Sequence, residues 1–214
     1  MIDTVILMLP RSKATVVSST ESGIPTWDLQ ASTRAYKKYV KNPTKVDQES
    51  GLYFPRLTGF RRRAAGGFES VIKVEFSAPK LLYKNNVDEL TEDQFPYVVN
   101  ELRDRLTRMG VYVSAKDLAA SEVRSVHYSK NILLQNGYTS RFVIGEIAKV
   151  NLNQRLDMTK ARYINEGQSL YAYAISHSVV IYDKIADIQR DKKRAIDKDV
   201  GSRQLELFKR IKRE

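Results

Sequence analysis

The sequence predicts an α+β fold built on a mainly antiparallel central sheet flanked by helices. Three observations predict it. Strand-like runs come first, at residues 2–9, 14–18, 52–63 and 68–76. A strongly periodic helix follows at residues 91–109. Further short strands and helices then return, an order that suits a sheet with helices set beside it. With 214 residues, 42% hydrophobic and 29% charged, the chain can bury a core and is not globally disordered. One domain is expected over residues 1–200. A basic amphipathic helix is expected over 201–214.

The elements are justified in order. Ile2-Asp3-Thr4-Val5-Ile6-Leu7-Met8-Leu9 reads as a buried strand stopped by Pro10. Its acidic flank and its length argue against an export signal. Ala14-Thr15-Val16-Val17-Ser18 is a short strand expected to pair with it. Residues 20–33, rich in Ser, Thr, Gly and Pro, read as a loop around Trp27. Arg34-Ala35-Tyr36-Lys37-Lys38-Tyr39-Val40-Lys41 interleaves cations with aromatics. That is the pattern of a segment that lies along a nucleic-acid backbone and stacks bases. A basic edge strand protected from aggregation gives the same pattern. Leu52, Phe54, Leu57 and Phe60 alternate loosely up to Arg61-Arg62-Arg63. Ala64-Ala65-Gly66-Gly67 then turns the chain into Phe68–Phe76, a hairpin with a basic tip. Three adjacent arginines there suit phosphate gripping, or a solvated charge run.

Thr91-Glu92-Asp93-Gln94 is a capping-box pattern. Phe95, Val98, Val99, Leu102, Leu106 and Met109 form one apolar stripe at helical spacing, and Gly110 stops the helix. Glu101, Arg103, Asp104, Arg105 and Arg108 fall largely off the stripe, so this helix reads as core packing. Ser114–Ala120 is a helical turn and Glu122–Ser129 a strand. Thr139–Val150 is a helix with Phe142, Val143, Ile147 and Val150 inward. Residues 151–160 are polar and basic, a loop. Residues 168–174 and 177–182 form a strand pair. Residues 184–197 and 202–213 look helical.

Charge and composition narrow the function. A net charge of +11 attracts polyanions, above all nucleic acid. Anionic membrane is the competing partner, but no apolar run is long enough to span a bilayer. The absence of cysteine excludes a disulfide scaffold, thiolate zinc sites and cysteine nucleophiles, and fits a reducing cytoplasm. No phosphate-binding glycine loop, Walker-type lysine or dinucleotide fingerprint is present. No Ser-His-Asp order stands out.

The run Ser178-Val179-Val180-Ile181-Tyr182-Asp183-Lys184 reads as a buried β-branched strand that delivers Tyr182 to its exposed end beside a cation. A phenol there can attack a phosphodiester, or simply pack at the end of a core strand. The chain has two histidines. His127, on the strand 122–129, is of the type that binds divalent metals, though by the sequence alone a packing or hydrogen-bonding role is the more common one for such a residue. His177 falls on the opposite pleat from Tyr182 in a regular strand. Glu75 ends an apolar strand and needs a partner, a cation or a metal.

Three stretches resemble filamentous-phage gene II-type rolling-circle replication initiators. They are Met1–Pro10, Val74-Glu75-Phe76-Ser77-Ala78-Pro79-Lys80-Leu81-Leu82 with Asn85-Asn86-Val87, and Val180-Ile181-Tyr182-Asp183-Lys184. The resemblance implies a relaxase-like nicking domain acting on single-stranded origin DNA in a bacterial cytoplasm. It implies a host helicase and polymerase as partners, and no membrane. It makes Tyr182 the nicking nucleophile and Lys184 its cationic helper. Mg²⁺ or Mn²⁺ would polarise the phosphate, with His127 and then Glu75 as ligands. Arg34, Lys37, Lys38, Lys41, Arg61, Arg62 and Arg63 would hold the DNA backbone, with a steep salt dependence. Two departures stand out. Such initiators carry Arg-hydrophobic-Asp where this chain has Ser125-Val126-His127. They also continue into a strand with an Arg-x-Glu-x-Arg-like pattern, whereas this chain stops at Glu214, as an N-terminal piece or short form would. A non-catalytic origin-binding regulator is the alternative, and a ribosome-associated basic domain ranks last.

Overall fold

The computed structural model describes residues 2–17, 39–41, 49–86, 88–150, 157–164, 168–174 and 176–186. The fold is mixed α+β with antiparallel sheets and a few helices. The chain clusters into two compact units, Met1–Lys130 and Asn131–Glu214. The expected boundary at residue 200 and the C-terminal helix lie outside the described residues.

The first unit is organised on five strands in the order β3-β4-β5-β1-β7. These are β1 (Ile2–Pro10), β3 (Tyr39–Lys41), β4 (Arg56–Ala64), β5 (Gly67–Ser77) and β7 (Glu122–Tyr128). Every pairing is antiparallel. Side chains alternate across a sheet, and here one face carries the helix-covered core. Leu7, Leu9, Leu57, Ile72, Val74 and Phe76 share one face and are buried. They pack with Val98, Leu102 and Leu106 of α2 (Phe95–Arg108), with Met109 just beyond it, and with Ala78 and Leu81 of α1 (Ala78–Tyr83). Each of these Val, Leu, Ile, Phe and Met side chains, taken fully from water, contributes about 1.5–3 kcal/mol. The expected stripe on α2 therefore holds, except at Phe95, which is 59% exposed. Arg105, expected off the stripe, is buried. It donates to the carbonyl of Tyr53 at 3.2 Å, pairs with Glu101 at 2.7 Å and lies 5.9 Å over the Phe54 ring. Its charge is buried with partners, as a buried guanidinium requires.

Two expectations about pairing change. β2 (Ala14–Val16) does not pair with β1 but with β6 (Val111–Val113). β1 already has β5 on one side and β7 on the other, so it has no edge left to offer. Of residues 151–160, expected as a loop, 157–160 belong instead to β8 (Asp157–Ile164) and 151–156 lie outside the described residues. Polar composition hid a strand whose pairing with β9 (Ser169–Tyr173) supplies what a continuous apolar run otherwise would.

The first two stretches that carry the resemblance lie side by side. Thr4 pairs with Ser77, and the Ser77 hydroxyl donates to Asp3 at 3.1 Å. The Ser77 N–H donates to the Tyr53 hydroxyl at 2.8 Å. Pro79 sits in the first turn of α1, where its missing N–H costs nothing. Asn85 then closes the exit from α1, its amide donating to the Tyr83 carbonyl and to Asp88. These residues fix the β5-to-α1 junction.

The second unit is smaller. Its described strands are ordered β10-β9-β8, with β10 at Ser178–Tyr182. α4 (Ser140–Lys149) packs on β9 and β10. The Thr139 hydroxyl caps α4 by accepting from the Phe142 N–H at 3.2 Å. Ile144 is its buried residue, whereas Phe142 and Val150, expected inward, are more than half exposed. Phe142 instead stacks on Tyr138, ring centroids 5.4 Å apart.

Candidate functional site

Tyr182 is the last residue of β10 and pairs with Ser169 of β9. The hairpin closes through the Ala174 N–H, which donates to the His177 carbonyl at 2.8 Å. His177 is exposed in that turn, its ring 3.4 Å from the Ser176 hydroxyl. Beyond Tyr182 the chain changes direction at Asp183. The Asp183 N–H donates to the Gln168 carbonyl at 3.0 Å, and its carboxylate accepts from the Ala186 N–H at 2.9 Å. Asp183 thus acts as the cap of the helical turn that starts at Lys184, using the side-chain acceptor that favours this position. The abrupt passage from strand to helical turn leaves Tyr182 39% exposed. The Lys184 ammonium lies 5.8 Å from the centre of its ring, within cation–π range.

The strand itself differs from expectation. Val179 and Val180 are 38% and 39% exposed, so β10 is not buried. Burial in this hairpin falls on Leu170 and Ala172 of the central strand β9. A β-branched run marks a residue set that tolerates a pleated surface, and says less about which side is covered.

The expected metal ligands belong to the first unit. Glu75 pairs with Ile6, and Ile6 with Ser125; Thr4 joins Ser77 on one side to His127 on the other. Glu75 and His127 therefore share the face of the sheet opposite the helix-covered core, two strands and one side-chain row apart. Their backbones are separated by roughly 12 Å at ordinary strand spacing. The Glu75 carboxylate meets Lys73 at 2.9 Å, which draws it away from the His127 row. This is the ion pair that an acid in an apolar strand otherwise calls for. His127 is exposed. As placed, the two do not converge on a shared divalent ion, and no cluster of three or more His, Asp or Glu side chains suited to a metal occurs among the described residues.

The basic hairpin is formed by β4 and β5, with Ala64 paired to Gly67 across the turn. The three arginines do not act as one unit, because strand alternation divides them. Arg62 faces the side opposite the helix-covered core. It forms an ion pair with Glu69 on β5 and another, at 2.8 Å, with Glu122 on β7. The Glu69 hydrogen bond, followed by that of Glu122, holds its guanidinium above the usual pKa. β4 and β7 are three strand spacings apart, about 14 Å, so this bridge spans β5 and β1. Val71 of β5 and Met8 of β1, on the same face as Arg62 by the register, are buried. Arg61 and Arg63 face the other way and are exposed. Arg61 lies 5.8 Å over the ring of Phe68, itself paired with Arg63. Phe68 is 65% exposed.

β3 pairs with β4, Lys41 opposite Leu57 and Tyr39 opposite Gly59. The topology thus brings the end of the Arg34–Lys41 run to the strand that carries the arginines. Arg34, Lys37 and Lys38 lie outside the described residues. Phe68 is the feature that sequence reasoning missed. The signal was present in the Gly66-Gly67 turn, which sets the register that puts Phe68 opposite Arg63. Comparisons with protein-family models, with curated proteins and with solved structures found no match to this chain.

Proposed function

We propose that the protein is a rolling-circle replication initiator that nicks and rejoins origin DNA through Tyr182. The observation that carries this reading is the exposed Tyr182 phenol at the end of β10, with the Lys184 cation 5.8 Å from its ring. A phenol is a poor nucleophile until deprotonated or oriented, and a neighbouring cation favours charge on it and on the phosphate it approaches. The Tyr182 oxygen attacks phosphorus and the bond to the 3′ oxygen breaks. A tyrosyl ester to the 5′ phosphate forms, and the phenolic proton is balanced by the one the 3′ hydroxyl gains. The ester keeps the bond energy, so attack by a 3′ hydroxyl reseals the strand without ATP. The net charge of +11 supports a polyanionic partner. Because Glu75 and His127 do not converge, no step is assigned to a metal. Mg²⁺ or Mn²⁺ enters as an assay condition. Action on origin DNA beside a host helicase and polymerase, in the bacterial cytoplasm, belongs to the same proposal. No helix among the described residues is long and apolar enough to cross a membrane.

The test is incubation with single-stranded origin-type DNA, with and without Mn²⁺. A denaturation-resistant protein–DNA adduct is expected from the parent chain and not from Tyr182→Phe. An adduct that survives Tyr182→Phe excludes this nucleophile. The Lys73–Glu75 ion pair favours a second reading, a non-catalytic nucleic-acid-binding regulator of replication. Under it the parent chain binds the strand and forms no adduct.

A further inference from the structure

We infer that Phe68, at the tip of the β4–β5 hairpin, is a stacking platform for a base of single-stranded nucleic acid, with Arg63 meeting the adjoining phosphate. The inference rests on the reading of the chain as a single-strand binder and names a part of that interface. Phe68 keeps 65% of its surface exposed at a turn. Folding therefore draws little from it, yet it is the one large apolar side chain exposed on the described tip. Its cross-strand partner is Arg63, and Arg61 lies over its ring at 5.8 Å. Opposed residues on an antiparallel pair stand about 4.5–5.5 Å apart, so a cation and a largely exposed aromatic ring sit within one nucleotide's reach of each other. That pairing is what sequence-tolerant single-strand binding uses: cations for the backbone and a ring for the base.

The opposite face of the same hairpin is already engaged. Arg62 there is held by Glu69 and Glu122, and this anchors the tip without drawing on Arg63. Both acids of that anchor, Glu69 and Glu122, face away from Phe68 by the register. The Phe68 face thus carries arginines with a serine, Ser70, next along the strand, and suits a polyanion. One ring with polar neighbours is too little apolar area to hold a membrane surface, which favours the nucleic-acid partner.

The experiment is fluorescence anisotropy of the full chain with labelled oligothymidylate and with an abasic strand of the same length. Variants are Phe68→Leu, Phe68→Trp and Arg63→Ala, each checked by thermal melting. Phe68→Leu should weaken binding by about 5- to 150-fold, the range for one stacked base. The loss should vanish on the abasic strand, and Phe68→Trp should restore binding. Arg63→Ala should lower the salt slope by about one on either strand. Unchanged affinity in Phe68→Leu overturns the inference. So does an equal loss on the abasic strand, or binding to anionic vesicles that Phe68→Leu abolishes. A normal Tyr182 adduct with no Phe68 effect sinks this inference and leaves the nicking proposal standing. No binding by the parent chain sinks both.

Discussion

The β4–β5 and β9–β10 hairpins are the same local structure put to opposite uses. The first is long, with register pairs running from Arg56–Glu75 to Ala64–Gly67. Its root is sunk in the core through Leu57, Ile72 and Val74, each no more than 1% exposed. Its tip is left to arginines and Phe68. The second is short, paired from Ser178–Tyr173 to Tyr182–Ser169. Its burial falls on one strand, β9, and its outer strand shows Val179, Val180 and Tyr182 to solvent. The difference teaches that a hairpin's chemistry is set by where its burial is concentrated. Where the root is locked, the tip can carry charge. Where only one strand is covered, the other can present a reactive side chain along its length.

The comparison can be broken by truncation. Leu57→Ala should cost about 2–5 kcal/mol, because it removes a fully buried side chain and leaves a cavity. Val180→Ala, on the exposed strand, should cost under about 1 kcal/mol. Chemical denaturation of both variants checks this. Equal costs would mean that β10 is as buried as its sequence suggests.

The arginines sharpen it further. Arg62→Ala should lower stability by about 1 kcal/mol, since its two ion pairs are partly exposed and solvent screens such pairs. It should leave the affinity for single-stranded DNA nearly unchanged. Arg63→Ala should do the reverse. If both variants bind equally weakly, the alternation of roles along β4 is wrong.

The smallest effect expected is on acid stability. Asp117, in the first turn of the short helix α3 (Ala115–Ala119), is held below the usual carboxylate range by the Ser114 hydroxyl and then by Lys13. Glu89 is lowered likewise by Lys130. A carboxylate lowered on folding stabilises the native state above its unfolded pKa, and that contribution is lost as pH falls through the folded value. Both groups are exposed, so the melting temperature should drop only slightly below the ordinary carboxylate range. Asp117→Asn should flatten that drop. A melting temperature that rises on acidification would contradict the sign.

Much of this was readable in the chain. The apolar stripe through Val98, Leu102 and Leu106 gave its own burial, because a period of 3.6 leaves one face to cover. The turn at Gly66-Gly67 gave the long hairpin, and the β-branched run ending at Tyr182 gave β10, though not its exposure. What was not readable depended on partners distant in sequence. β2 met β6 because β1 had no edge left. Arg105 went inward because Tyr53, Phe54 and Glu101 were there to receive it. Alternation along β4 turned Arg62 away from its neighbours, and the partner it met there, Glu122, lies sixty residues on. At the candidate site the sequence placed Tyr182 and Lys184 together. The partner of Glu75 was Lys73, two positions away on the same face, and its separation from His127 came only with the strand order.

The most direct measurement is the mapping of a covalent link. The parent chain is incubated with single-stranded origin-type DNA and a divalent ion, digested with nuclease and protease, and its peptides are sequenced by mass spectrometry. The account predicts a nucleotide remnant joined through phosphate to the Tyr182 oxygen, with a free 3′ hydroxyl on the released strand. A remnant on any other residue, or DNA bound tightly and recovered uncut, would contradict it.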